Sequence, residues 1–192
     1  EGEHLFSRVW GGEGNDGAWA VAVDSLGHAI LTGRFEGEVR FGSSLYEAVG
    51  AGAIFVLKID EAGNDVWAER IGGSSEQSAT DVVVDSKDRI VLTGFYEGDV
   101  SFGETSLPPS GLREPNILVA KLEPGGAPVW ARGIAVDGNQ DVGGVRRGWR
   151  SVAMLPSDFI ALGGFVQRDI DFGEGPLEAF GGADLLVAKL AP

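Results

Sequence analysis

The chain has 192 residues, of which 43% are hydrophobic and 23% charged, proportions of a globular chain and not of a disordered one. It holds 31 glycines without a Gly-X-Y period, which excludes collagen, and no cysteine, which excludes disulfides, thiolate zinc sites and a cysteine nucleophile. A net charge of −14 argues against nucleic acid and anionic membrane surfaces, and no apolar run reaches the ~20 residues of a membrane helix.

Taken in chain order, the sequence opens on Glu1 without Met and without a visible signal peptide. That start reads as a processed product or a segment of a longer protein. A first strand is expected around Leu5-Phe6-Ser7-Arg8-Val9-Trp10. Four more follow at 18–24, 28–35, 54–60 and 65–71, rich in Val, Ile, Leu and Phe and separated by Gly, Asp, Asn and Ser. The run 54–60 is apolar on both sides, with Phe55, Leu57 and Ile59 on one and Ile54 and Val56 on the other. A sheet wet on one face would alternate more cleanly, so this strand is expected between two packed neighbours. No stretch holds a 3.6-residue period between the glycines, so helix is disfavoured.

The same cycle then repeats. Leu31-Thr32-Gly33-Arg34-Phe35 matches Leu92-Thr93-Gly94-Phe95-Tyr96, and Phe55-Val56-Leu57-Lys58-Ile59 matches Leu118-Val119-Ala120-Lys121-Leu122. A third copy runs through Leu162-Gly163-Gly164-Phe165, Asp169-Ile170-Asp171-Phe172-Gly173 and Leu186-Val187-Ala188-Lys189-Leu190. Trp67 and Trp130 share one repeat position, with Phe6 in the same slot ahead of the first copy. The fold class is therefore all-β and β-propeller-like: three repeats of about four antiparallel strands, roughly 4–64, 65–127 and 128–192, in one domain. Connections such as Ser25-Leu26-Gly27 and Glu61-Ala62-Gly63-Asn64 are short, whereas 72–79 and 96–115 are long. Alternating strand direction puts the short turns at one end and the long loops at the other, where binding residues are expected.

The chain's two ends are complementary in pattern. The segment around Leu5–Trp10 matches a fourth strand, and the last copy stops after its third strand at Leu190. The first strand is expected to complete a terminal blade, its own or a neighbour's. Three arrangements stay open: a segment of a larger propeller with further blades, a homodimer closing six blades, or an open array.

Candidate site residues fall in two groups. In the third copy an extended interblade loop carries Arg146, Arg147, Trp149 and Arg150, the residue types favoured at interaction hot spots and for carboxylate recognition. Glu38, Asp99 and Asp169 recur at one repeat position, with Glu36 and Glu97 two residues earlier in two copies. They are a candidate calcium set or a charged edge that blocks strand addition. Glu13-Gly14-Asn15-Asp16-Gly17 lacks EF-hand spacing and reads as a turn. Asp24 and Asp85 are expected to cap tight turns, and Lys58, Lys121 and Lys189 to cover apolar surface with their stems while their amines stay wet. His4 and His28 stand without a repeated partner, which leaves a zinc site or a Ser-His-Asp triad without support. Gly11-Gly12 and Gly72-Gly73 open no helix, so a phosphate loop is not expected.

The pattern Trp-Ala…Gly-Gly…Val-Asp-Ser…Leu-Thr-Gly-Phe…Phe-Gly…Val-Ala-Lys-Leu resembles the SBBP repeat, a seven-bladed β-propeller repeat of bacterial secreted and surface proteins. The third copy departs from it at Leu155-Pro156-Ser157-Asp158, and Ala53 stands where Asn116 and Asp184 sit. The resemblance implies a propeller scaffold in an extracellular or cell-envelope protein, with no general catalytic motif. The expected function is a non-enzymatic scaffold or binding module with a protein or glycan partner on the long-loop face, no cofactor beyond calcium, no nucleic acid and no membrane insertion. Two alternatives accompany it. One is a quinoprotein-like propeller enzyme, because Lys58–Gly63 followed by Trp67 loosely resembles the docking motif of such blades. The other is a purely structural spacer.

Overall fold

The computed structural model describes residues 2–109, 115–134 and 149–192, except for the side chains of Trp149 and Arg150. The first sheet has the order β1-β2-β5-β6, from β1 (Gly17–Val23), β2 (Ala29–Phe35), β5 (Ala53–Ile59) and β6 (Asp65–Ile71). The second repeats it with β7 (Gln77–Val84), β8 (Ile90–Tyr96), β11 (Asn116–Leu122) and β12 (Pro128–Ile134). The third has three strands, β13 (Trp149–Met154), β14 (Ile160–Val166) and β17 (Asp184–Leu190). Every pairing is antiparallel, and the register sets Lys58 opposite Trp67 and Lys121 opposite Trp130, as the repeat alignment requires. The fold is thus all-β and propeller-like, with the sheets stacked in chain order.

Each sheet has a first face toward the preceding repeat and a second face toward the following one. Ile30, Ile54, Val56 and Ile71 of the first sheet's second face pack on Val82, Leu92, Tyr96 and Leu118 of the second sheet's first face. Val91, Ile117, Val119 and Ile134 likewise meet Val152, Ile160, Leu162 and Leu186 of the third. This explains why β5 and β11 carry apolar residues on both faces: both are buried along their whole length. Each of the two interfaces contributes to the stability of the stack at about 25 cal/mol per Å2 of apolar surface removed from water.

The Leu-Thr-Gly motif has a local cause. A β-bulge between Ala18 and Ala20 pushes the Gly17 carbonyl inward, so a Cβ on Gly33 would lie 2.0 Å from that oxygen. The bulge between Ala79 and Asp81 does the same to Gly94, with 2.1 Å to the Ser78 oxygen. The preceding threonines are fully buried and satisfied, Thr32 Oγ1 donating to the Phe55 carbonyl at 2.7 Å and Thr93 Oγ1 to that of Leu118 at 3.1 Å.

Two expectations need correction. The connection 96–115 is not simply a long loop: it contains a ribbon of β9 (Val100–Phe102) and β10 (Thr105–Leu107), with counterparts β3 (Glu38–Phe41) and β4 (Ser44–Glu47), and β15 (Ile170–Asp171) and β16 (Pro176–Leu177). Val39, Phe41, Val100, Phe102 and Ile170 are buried beneath the sheets' outer strands, but two or three apolar residues are too few to register as a strand in the sequence. The segment Leu5–Trp10 is not paired as a strand, and its Leu5 and Val9 side chains are exposed.

Candidate functional site

The short-turn end is built from a repeated charge pair. Asp24 Oδ1 accepts the Leu26 and His28 N–H groups, each at 2.9 Å, and Asp85 Oδ1 accepts those of Lys87 and Arg89 at the same distance. The turn-capping expectation holds. The second carboxylate oxygen takes the lysine of the third strand, Lys58 Nζ at 2.7 Å from Asp24 and Lys121 Nζ at 3.0 Å from Asp85. These amines are therefore not wet, and Lys121 is only 1% exposed. A buried ammonium is tolerated only with a counter-charge, which the turn aspartate supplies. His28 also has a partner, its Nδ1 lying 3.0 Å from Asp24 Oδ2, with Arg89 Nε in the same place at 2.7 Å from Asp85. Burial pushes the Asp24 carboxyl up, but Lys58, His28 and the turn N–H groups outweigh it and hold it far below the usual range. Asp85 is lowered in the same way, burial being outweighed by Lys121, Lys87 and Arg89.

The third repeat shows what happens without the acid. Leu155 stands where Asp24 and Asp85 do, Phe159 replaces His28 and Arg89, and Lys189 Nζ lies 3.9 Å over the Phe159 ring. A cation–π contact replaces the ion pair.

Neighbouring sheets are clasped at this same end. Ser25 donates its N–H to Asp88 Oδ1 at 2.8 Å and its hydroxyl to Oδ2 at 2.6 Å. Ser86 repeats this with Asp158 at 3.0 and 2.8 Å. Asp88 and Asp158 have φ of 59° and 61°, in the left-handed region that aspartate tolerates, and Gly27 holds the equivalent place in the first repeat. These polar groups are committed to holding the stack.

At the long-loop end Arg34 pairs with Glu36 at 2.6 Å and donates to the Ala51 carbonyl at 2.6 Å, while Glu36 accepts Asn15 Nδ2 at 3.0 Å. The acidic triad is not brought together. Glu38 is exposed at the start of β3, Asp99 accepts the Ser74 hydroxyl at 2.5 Å, and Asp169 accepts the Ala179 N–H at 2.8 Å. Among the described residues, no three His, Asp or Glu side chains are grouped to hold a metal ion. Arg146 and Arg147 lie outside the described residues. Trp149 opens β13, with Arg150 as the bulged residue between Trp149 and Ser151.

A cavity of about 510 Å3 lies elsewhere, along β17. It is bounded by Trp130 and Arg132 of β12, by Phe172 and Leu177 of the third ribbon and its loop, and by Val187 to Leu190. Arg132 donates to the Phe172 carbonyl at its rim. Sequence reasoning placed no site here.

Comparison with known proteins gives a distant likeness. The chain is 24% identical over 167 positions to the uncharacterized WD repeat-containing protein L264 of Acanthamoeba polyphaga mimivirus, an alignment that takes in 79% of this chain. It spans only 12% of that protein's length. No family model matches the chain.

Proposed function

We propose that this chain is a non-enzymatic repeat scaffold, a binding module whose long-loop end takes a protein or glycan partner. The observation that carries this reading is the division of labour between the two ends of the sheets. At the short-turn end the aspartates, lysines and serines of successive repeats are used up in internal pairs and interblade clasps. The long connections at the other end differ from copy to copy over a repeated frame, the arrangement on which recognition surfaces are built. The distant likeness to a WD repeat-containing protein supports a repeat scaffold. Placement in a bacterial extracellular or cell-envelope protein rests on the resemblance to the SBBP repeat.

Arg146, Arg147, Trp149 and Arg150 are the residues assigned to the partner, with guanidinium forks for carboxylates and an aromatic anchor beside them. The test is a screen of the chain against peptide and glycan arrays, repeated with Arg146→Ala/Arg147→Ala/Trp149→Ala. Loss of a wild-type signal, with unchanged thermal unfolding, supports the assignment. A signal indifferent to the triple substitution places recognition elsewhere, and no signal on either array favours a spacer.

A further inference from the structure

We propose that the two-stranded ribbon between the second and third strands of a repeat is a wedge, which holds the fourth strands of successive sheets apart while their first strands stay close and so curves the stack. The case is made at the junction between the first and second sheets, and the next junction repeats it.

On the first-strand side, short side chains bridge the sheets. Ala20 and Ala22 of β1 lie against the apolar cluster that holds Ala79 and Val82 of β7. The turns that follow these strands are joined by a serine and an aspartate, Ser25 and Asp88. At the next junction a single aspartate spans the gap, Asp81 Oδ2 of β7 accepting the Val152 N–H of β13 at 2.8 Å. A carboxylate on so short a stem reaches the backbone of a close neighbour only.

On the fourth-strand side the same sheets are joined by long groups. Trp67 Nε1 of β6 donates to the Pro124 carbonyl in the second sheet's last turn at 3.1 Å, and Lys58 Nζ donates to the same oxygen at 3.3 Å. Toward the long-loop end the gap takes a whole ribbon. Val100, Phe102 and Leu107 of β9 and β10 are buried in one cluster with Ile71 of the first sheet and Leu118 of the second, and Trp67 packs against it. The ribbon is seated on both sheets. Ser101 donates its N–H to the Gly72 carbonyl just past β6 at 3.2 Å, and a Cβ on Gly73 would lie 1.8 Å from the Asp99 oxygen. On the other side the Tyr96 hydroxyl donates to the Pro108 carbonyl at 3.2 Å, and a Cβ on Gly103 would lie 2.8 Å from the Pro128 ring at the start of β12. The second junction has the same filling, with Ile170 and Phe172 of the third ribbon beside Ile134 and Trp130.

Sheets separated by side chains alone pack about 10 Å apart. Alanines at one side of a close-packed interface, with a tryptophan and an entire ribbon at the other, cannot be accommodated by parallel sheets. The sheets diverge toward their fourth strands, and because the ribbon recurs in every copy the stack bends the same way at each step.

The chain holds no cysteine, so spin labels can be placed in chosen pairs. Val66→Cys/Val129→Cys marks equivalent exposed positions of β6 and β12, and Leu26→Cys/Lys87→Cys marks the turns after β1 and β7. Both distances are read by pulsed electron resonance on the full chain, with thermal unfolding as the check on folding. Phe102→Leu and Phe102→Ala thin the wedge and are expected to shorten the β6–β12 distance stepwise, by roughly 1–3 Å for alanine. Val100→Leu thickens it and is expected to lengthen that distance. The distance between the two turns is expected to stay as it is in all three. Phe102→Leu and Val100→Leu change little volume, so the comparison stands even where Phe102→Ala does not fold. A β6–β12 distance indifferent to every folded variant, a shift of the opposite sign, or equal shifts in both pairs would each overturn the proposal.

Discussion

Replacing Asp85 by leucine tests the charge pair at the heart of the short-turn end. The substitution leaves the Lys121 ammonium, 1% exposed and 3.0 Å from the lost carboxylate, without a counter-ion. Breaking a buried pair on one side costs roughly 3–5 kcal/mol. The two lost turn bonds, from Lys87 and Arg89, add up to about 1 kcal/mol each. For a chain of this size every kcal/mol lowers the melting temperature by roughly 2–4 °C, so a fall on the order of 10–20 °C is expected. Urea unfolding followed by tryptophan fluorescence gives the free energy. The third repeat supplies the control: Asp85→Leu/Arg89→Phe recreates the Leu155, Phe159 and Lys189 arrangement and should recover about 0.5–2 kcal/mol through the ring. Asp85→Leu/Lys121→Met removes the orphaned charge and should recover more. A loss below about 1 kcal/mol for Asp85→Leu, or no recovery with Lys121→Met, would refute the reasoning.

Three further outcomes are expected. Asp24 and Asp85 both have carboxyl groups lowered in the folded state, so the stability they contribute is present above their unfolded values near 3.8 and is lost as pH falls through the folded ones; Asp24→Asn/Asp85→Asn should flatten the fall of urea midpoint with pH below about 4. A Cβ on Gly133 would lie 2.0 Å from the Tyr96 hydroxyl, which accepts a bond from Asn116 Nδ2 at 2.9 Å, so Gly133→Ala should destabilise by about 1–3 kcal/mol. Asp88→Gly keeps the left-handed backbone but removes the clasp to Ser25, and its loss in urea unfolding should be smaller than that of Asp85→Leu.

Repeat spacing made the sheets legible in the sequence. The runs at 28–35, 54–60 and 65–71 lie within a residue of β2, β5 and β6, because each recurs in the second copy between turn residues, and β5, buried throughout, is apolar on both faces. The ribbons were hidden for the opposite reason, since β15 and β16 hold two residues each. At the site, Asp24 and Asp85 were readable as turn caps because the bond is local. Their pairing with Lys58 and Lys121 joins residues more than thirty positions apart, and an isolated lysine at a strand end reads as a snorkelling one. The joint recurrence of the two residue types in the first two copies, and the joint change of the aspartate and the residue four after it to Leu155 and Phe159 in the third, carried the missing information. The seat of Phe6 on Gly63 needed coordinates, because it joins residues far apart in the chain.

Backbone hydrogen exchange of β5, β11 and β17, measured on dilute protein, tests most directly the claim that the repeats are blades stacked face to face. The three strands occupy one repeat position, yet β5 and β11 are buried throughout and β17 is a half-open edge. Slow exchange along β5 and β11, with markedly faster exchange in β17, is the expected result. Equal rates in the three strands, or β5 exchanging as fast as β17, would contradict the stacked arrangement.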